Sequence, residues 1–247
     1  GHPGGSLSSA DLLATLYFRI MNIDPADPYM EDRDRFVLSK GHAAPILYAT
    51  LAERGYFPTD ELKTLRQLGS RLQGHPAYRE VPGIEVTTGS LGQGLSMACG
   101  MALAGKMDSK DYRVYCLMGD GELQEGQNWE AAMFAHRYGL NNLIGFVDRN
   151  RLQICGNTEE VMSLDPLPEK FRAFGWNVII IDGHNIRQII DACDKAARSK
   201  KNPTVIIMNT IKGKGVSFME NNVDFHGRSC KPDEYAKAVE ELKAVIQ

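Results

Sequence analysis

Asp120 and Asn150 are the residues of this chain best placed to do chemistry. Each follows an apolar run: Gly119-Asp120-Gly121 comes after 113–118, and Asp148-Arg149-Asn150 closes 143–148. If the two runs are neighbouring strands, their axes lie roughly 5 Å apart and both side chains reach one ion. A carboxylate, an amide oxygen and a nearby backbone carbonyl are hard oxygen donors of the kind magnesium takes. Gly119 and Gly121 leave backbone N–H groups open to a phosphate. A lone Gly-Asp-Gly is an ordinary turn; the order strand, Gly-Asp-Gly, helix, strand, Asn is what points to a metal and phosphate site. Four of the six histidines, His2, His42, His75 and His226, sit beside Gly or Pro in loops. Imidazoles there suit proton transfer near neutral pH. His136 falls within a helical pattern and His184 follows Asp182-Gly183 in a turn, and both read as structural.

The elements that must position these residues are legible in outline. Ser8–Asn22 has apolar residues at helical spacing behind a Ser cap. Pro45 opens a second helix through Arg54, and Thr59–Leu72 reads as a third with acidic residues in its first turn. Leu91–Met107 is rich in small residues, as in a helix packed closely on a neighbour. From Arg113 onward, short apolar runs at 113–118, 143–148, 177–181 and 204–209 alternate with helical stretches at 127–138, 168–174 and 185–199. Asn185 and Gln188 resemble a capping box, and Pro232–Ile246 reads as a closing helix. Strand–helix alternation predicts an α/β fold with a mostly parallel sheet flanked by helices on both faces. Ligands of such sheets bind beyond the carboxyl ends of the strands, where Asp120 and Asn150 fall.

The bulk numbers narrow the function. The chain has 247 residues, 43% hydrophobic and 24% charged, with a formal net charge of −3. That balance leaves no basic footprint for nucleic acid, and no apolar run approaches the roughly 20 residues of a membrane span. Five scattered cysteines without a paired motif argue against disulfides or zinc and for a reducing, cytoplasmic setting. The chain opens on Gly1-His2-Pro3-Gly4 without an initiator Met or a leader pattern, so a short N-terminal segment is expected to be missing and no signal peptide is expected. One domain over 1–247 is the simplest partition. No Walker-type phosphate loop occurs, and Gly89-Ser90-Leu91-Gly92-Gln93-Gly94 lacks the Rossmann spacing.

With these residues in view, the sequence resembles the thiamine-diphosphate enzymes, whose signature is GDG followed about thirty residues later by Asn. The motifs GHPGGS at 1–6, SKGHA at 39–43, QGHP at 73–76, TTGSLGQG at 87–94, GDGELQEG at 119–126, VDRNRLQ at 147–153, and TIKGKG at 210–215 with HG at 226–227 are similar, in that order, to transketolase. The likeness spans nearly the whole chain but covers only the diphosphate-binding half of such an enzyme. It therefore implies a thiamine-diphosphate-binding fold of the PP type and the N-terminal subunit of a split, two-chain transketolase.

The resemblance implies further that Asp120, Asn150 and the Leu152 carbonyl hold Mg2+, or Ca2+ in its place. It sets Gly119, Gly121 and His42 at the diphosphate and Gly89 and Leu91 along the cofactor. Glu125 would join a carboxylate network reaching the partner, and His2, His75 and His226 would face the reacting sugar. Phe225 stands where Trp is common, and Glu122 occupies a variable position and is given no role. The partner expected is a C-terminal subunit carrying the pyrimidine-binding domain, in an α2β2 assembly acting on sugar phosphates. The activity implied is transfer of a two-carbon ketol unit from a ketose phosphate to an aldose. The alternatives are a split enzyme of a peripheral pathway, acting on a sulfo-sugar or branched sugar, and a non-catalytic diphosphate-binding module. 1-Deoxyxylulose-phosphate synthase fits less well because of the Pro in His2-Pro3. The 2-oxoacid dehydrogenases fit less well because of SKGHA and GHPGGS.

Overall fold

The strands of this chain are almost uniformly apolar because both faces of the sheet they form are covered, except along the edge strand Asn177–Asp182, where Ile180 is exposed. The computed structural model describes residues 1–244. Five strands, β1 (Arg35–Leu38), β2 (Val114–Gly119), β3 (Leu143–Arg149), β6 (Asn177–Asp182) and β7 (Thr204–Asn209), build one sheet in the order β1-β2-β3-β7-β6. Every pairing in it is parallel. The remaining strands, β4 (Leu152–Gln153) and β5 (Gly156–Asn157), make a small antiparallel hairpin just after β3.

Alternate side chains of each strand enter opposite cores, as the two-residue period requires. Phe36, Leu38, Tyr115, Leu117, Ile144 and Phe146 face one way. They pack on α2 (Ala10–Thr15), α3 (Ala44–Arg54) and α8 (Ile186–Ala197). Val37, Val114, Cys116, Met118, Leu143 and Val147 face the other way, onto α4 (Gln93–Met107), α5 (Gln127–Arg137) and α7 (Leu167–Ala173). The carboxyl ends of β1, β2, β3 and β7 thus converge on one rim of a rigid sheet.

The N-terminal helix differs from the expected Ser8–Asn22. It begins earlier, as α1 (Pro3–Leu7), because Pro3 is pre-set for a first helical turn. It breaks where Ser8 and Ser9 both donate to the Gly5 carbonyl, at 3.2 and 2.9 Å. Ser8 caps nothing; its hydroxyl also lies 2.6 Å from Asp148. Beyond α2 the chain runs on as a π turn, Leu16–Ile20.

Thr59–Leu72 forms only a 3-10 stretch, Thr59–Thr64, with no buried residue to anchor a longer helix. Arg66 and Gly69 in left-handed conformation end it. Asn185 does cap α8, accepting from the Gln188 N–H at 3.1 Å, but the Gln188 side chain accepts from Asp182 instead of closing the box. The short β1 and the helical turn α6 (Thr158–Val161) had no sequence expectation. The closing helix α9 runs Pro232–Ala244, and the expected end at Ile246 lies outside the described residues.

Candidate active site

The adjacency on which a shared metal depends is present. β2 and β3 are neighbours, Gly119 is in register with Asp148, and the Asp120 N–H donates to the Asp148 carbonyl at 3.3 Å. Asp120 is buried at 2% exposure. Its carboxylate accepts from Gly121 N–H at 2.7 Å and Arg151 N–H at 2.5 Å. Burial, with the nearby Asp148 charge, pushes its pKa up to about 6. The Asn150 amide donates to Asp148 at 3.0 Å, which aims its oxygen at the Leu152 N–H, also at 3.0 Å. The Leu152 carbonyl accepts from Lys212 at 3.0 Å.

These atoms line a cleft of about 330 Å³ at the carboxyl rim of the sheet. His2, His42, Gly89, Leu91, Gly119, Asp120, Gly121, Glu125, Asn150, Leu152 and His226 all border it. His75 does not; it stands behind Gly89, whose added Cβ would sit 3.0 Å from the imidazole. With φ at +147° as well, Gly89 has no room for a side chain. A larger apolar groove of about 660 Å³ shares only His2 with the cleft. It lacks converging polar groups, so size alone does not mark the site.

Three imidazoles form one cluster. Ring centroids lie 5.1 Å apart for His2 and His42, 5.6 Å for His2 and His226, and 5.3 Å for His42 and His226. Burial, then the Lys40 charge, pulls His42 down to about 2. Burial and Lys212 pull His226 down to about 4, and burial also lowers His2. The rings are therefore neutral at pH 7, and a bound anion would raise them again. The Nδ1 atoms of His2 and His226 are buried without a hydrogen-bond partner among the described residues. Buried polar atoms are normally satisfied, so these two call for a polar ligand.

The donor set fits a hard cation beside a phosphate. Among the described residues no group of three or more His, Cys, Asp or Glu could hold a metal. An ion here would take one carboxylate together with amide and carbonyl oxygens, the set magnesium accepts when phosphate and water complete its shell.

The family profile described as "Transketolase, thiamine diphosphate binding domain" matches residues 1–244. The chain belongs to the transketolase thiamine-diphosphate-binding family. It is 51% identical to the 6-deoxy-6-sulfo-D-fructose transketolase subunit SqwG of a Clostridium species, over 98% of this chain and 88% of that protein. Identity is 47% to an apulose-4-phosphate transketolase subunit of Phocaeicola vulgatus, over 100% and 88%. The transketolase of Campylobacter jejuni superposes with a TM-score of 0.92 at 35% identity. That superposition covers 98% of this chain but only 39% of the other, so the chain spans about two-fifths of a one-chain transketolase.

Within this transketolase domain, the residues that hold the site together were not foreseen. Asp148, at 0% exposure, accepts from Lys40 Nζ at 2.5 Å, from Ser8 and Asn150, and from the Thr210 hydroxyl. Burial would raise its carboxyl, but Lys40 and the hydroxyls outweigh that and hold it at about 2. Lys212 borders the same cleft, and burial, with the Lys40 charge, pulls it down to about 8.

Glu122, set aside on sequence, is 3% exposed and accepts from Ser39 Oγ at 2.5 Å and from the Gly92 and Gly119 N–H groups, each at 2.9 Å. It ties three motif loops together. The only sequence signal was a carboxylate three residues beyond a strand end, which is a common surface pattern. His184 is not a free turn residue either: its ring bridges Asp11 and the Ile211 N–H.

Proposed function

We propose that this chain, as one domain over residues 1–247, is the diphosphate-binding subunit of a two-chain transketolase-type enzyme. One observation carries the reading: residues from widely separated motifs border one cleft in which two buried imidazole nitrogens lack partners among the described residues. Asp120, Asn150 and the Leu152 carbonyl would hold the divalent ion. Gly119, Gly121 and His42 would meet the diphosphate, with Lys40 and Lys212 opposing its charge and Gly89 and Leu91 along its length. Contrary to the expectation of open N–H groups, Gly119 N–H is held by Glu122 and Gly121 N–H by Asp120, so the two glycines would give the phosphate room before they give it donors. Bound thiamine diphosphate supplies the thiazolium that takes up the electron pair of the cleaved carbon–carbon bond.

The chain's own part is positioning and proton handling. His2 and His226, neutral at pH 7, border the cleft and would exchange protons with the sugar oxygens, while His75, set behind Gly89, would have to act from outside the cleft lining. Glu125 lies exposed at the rim and would face the partner subunit. Helices α4 and α5 leave Met107, Met133 and Phe134 at 76%, 53% and 37% exposure, apolar side chains that a C-terminal subunit carrying the pyrimidine-binding domain would cover. Two such pairs about a two-fold axis give α2β2.

For the substrate, the peripheral-sugar reading is the better supported, because identity is higher to the two relatives named for a sulfo-fructose and for apulose 4-phosphate than to the human one-chain transketolase at 44%. No helix among the described residues is long and apolar enough to cross a membrane, and the unpaired thiols fit a cytoplasmic setting. The test assays the chain with thiamine diphosphate, magnesium and an aldose acceptor, with and without the partner. The donors are a sulfo-fructose, apulose 4-phosphate and ordinary ketose phosphates. Turnover is expected only with the partner. Full turnover by the chain alone overturns the half-site reading, and binding without turnover in the complex favours the non-catalytic module.

A further inference from the structure

The segment Thr210–Gly213, which leaves β7 and carries Lys212 into the cleft, is pinned by its backbone N–H groups. Thr210 N–H donates to the Arg149 carbonyl at 3.3 Å and Gly213 N–H to the Gly4 carbonyl at 3.0 Å. Between them, the Ile211 N–H donates to Nε2 of His184 at 2.9 Å. Nε2 is therefore the acceptor nitrogen, and Nδ1 carries the ring proton. Nδ1 lies 2.8 Å from the Asp11 carboxylate, so it donates there, and Asp11 fixes both tautomer and ring plane. The His184 side chain is 12% exposed and that of Asp11 34%.

The two segments joined by this pair both grip Asp148. Ser8, just before the helix that bears Asp11, donates to one carboxylate oxygen, and Thr210, next to Ile211, donates to the other. The contacts form a closed ring: Ser8, Asp148, Thr210, Ile211, His184, Asp11 and back along the chain. Lys212 hangs from this ring with its ammonium on the Leu152 carbonyl.

We propose that His184, oriented by Asp11, is a positioning residue that sets Thr210 and Lys212 against Asp148 and Leu152, and so sets the affinity of the cleft for a divalent ion and a diphosphate. This rests on the reading of the cleft as a thiamine-diphosphate site, but its geometry lies outside the cleft.

Two side chains separate the two contacts of the ring. In His184→Gln the amide oxygen falls near Nε2 and keeps the Ile211 contact. In His184→Asn the amide nitrogen falls near Nδ1 and keeps the Asp11 contact but is too short to reach Ile211. Asp11→Ala frees the ring on the exposed side, where folding is least at risk. Affinity for magnesium and thiamine diphosphate is measured by calorimetry on the full chain with its partner, and exchange of the Ile211 amide on the full chain without cofactor.

The whole worth of one hydrogen bond of this kind is about 10-fold, so an affinity loss between about 3- and 10-fold is expected in His184→Asn, with faster Ile211 exchange. His184→Gln is expected within about 3-fold of wild type, and Asp11→Ala between the two, as fits loss of orientation alone. Equal losses in Gln and Asn variants would mean a packing role and overturn the proposal. So would wild-type affinity in His184→Asn, whatever the exchange shows. If the wild type itself binds no cofactor, the reading of the cleft falls. The Ile211 exchange then still decides whether His184 sets the segment.

Discussion

Replacing Lys40 by Met removes the cation from a buried pair whose members are 2% and 0% exposed and 2.5 Å apart. Breaking such a pair from one side costs about 3–5 kcal/mol, because the remaining charge stays buried without its partner. Asp148 would still accept from Ser8, Asn150 and Thr210, so the expected loss lies at the low end, about 3 kcal/mol. For a chain of this size that lowers Tm by roughly 6–12 °C. Lys40→Met with Asp148→Asn leaves neither charge of the pair, and an uncharged pair of similar shape is close to neutral. The double variant should therefore lose much less than the two single losses added together, with a coupling of at least about 2 kcal/mol. Urea unfolding of the four proteins at matched m-values measures this. Singles that add to the double within about 0.5 kcal/mol, the scatter of independent sites, would refute the claim that the pair is coupled.

Asp120→Ala should abolish magnesium-dependent cofactor binding in calorimetry while costing no more than about 2 kcal/mol, since two backbone N–H acceptors are lost but a buried carboxylate is removed. His75→Ala and His226→Ala should lower turnover by about 10²- to 10⁴-fold with little change in Tm, whereas His136→Ala should leave turnover unchanged. Glu122→Gln turns an amide N–H toward a backbone donor at Gly92 or Gly119; about 1–3 kcal/mol of stability should go, read as a shifted urea midpoint, together with weaker cofactor binding. His42 stays neutral in the fold down to about 2, while its unfolded imidazole titrates near 6.5. The unfolded state therefore takes up the proton first, and stability is full above 6.5 and declines as pH falls toward 2. His42→Asn should reduce the slope of stability between pH 6 and 4 by up to about 1.4 kcal/mol per unit, seen in urea midpoints across that range.

What was legible in the sequence divides from what was not along a physical line. Side chains that face a ligand sit at strand ends among glycines, because backbone must come close to the bound group there. Asp120, Asn150 and His42 each carry such a local signature, Gly89 was placed by the resemblance to transketolase alone, and all four border the cleft. The sheet was legible for a similar reason. Burial on both faces leaves strands like 143–149 without a single exposed position. β1 escaped because it has only four residues behind the charged run 31–35, too short for a period to show. Thr59–Leu72 misled because acidic residues at its start suggested a helix, and nothing in the pattern showed that Leu68 would stand exposed and that Leu62 and Leu65 would be only partly buried. The residues that hold other residues left no signature at all. Asp148 is gripped by side chains 140, 108 and 62 positions away, and no spacing rule reaches that far. Lys40 lies inside a motif whose signal is the histidine two places on, and Lys212 inside another whose signal is its glycines. Their charges have meaning only once β1, β3 and β7 bring them to one rim. A carboxylate such as Glu122 looks the same in sequence whether it meets water or three donors. The ligand-facing half of a site on a parallel sheet is therefore readable from local pattern, and the supporting half becomes readable only when strand order is known.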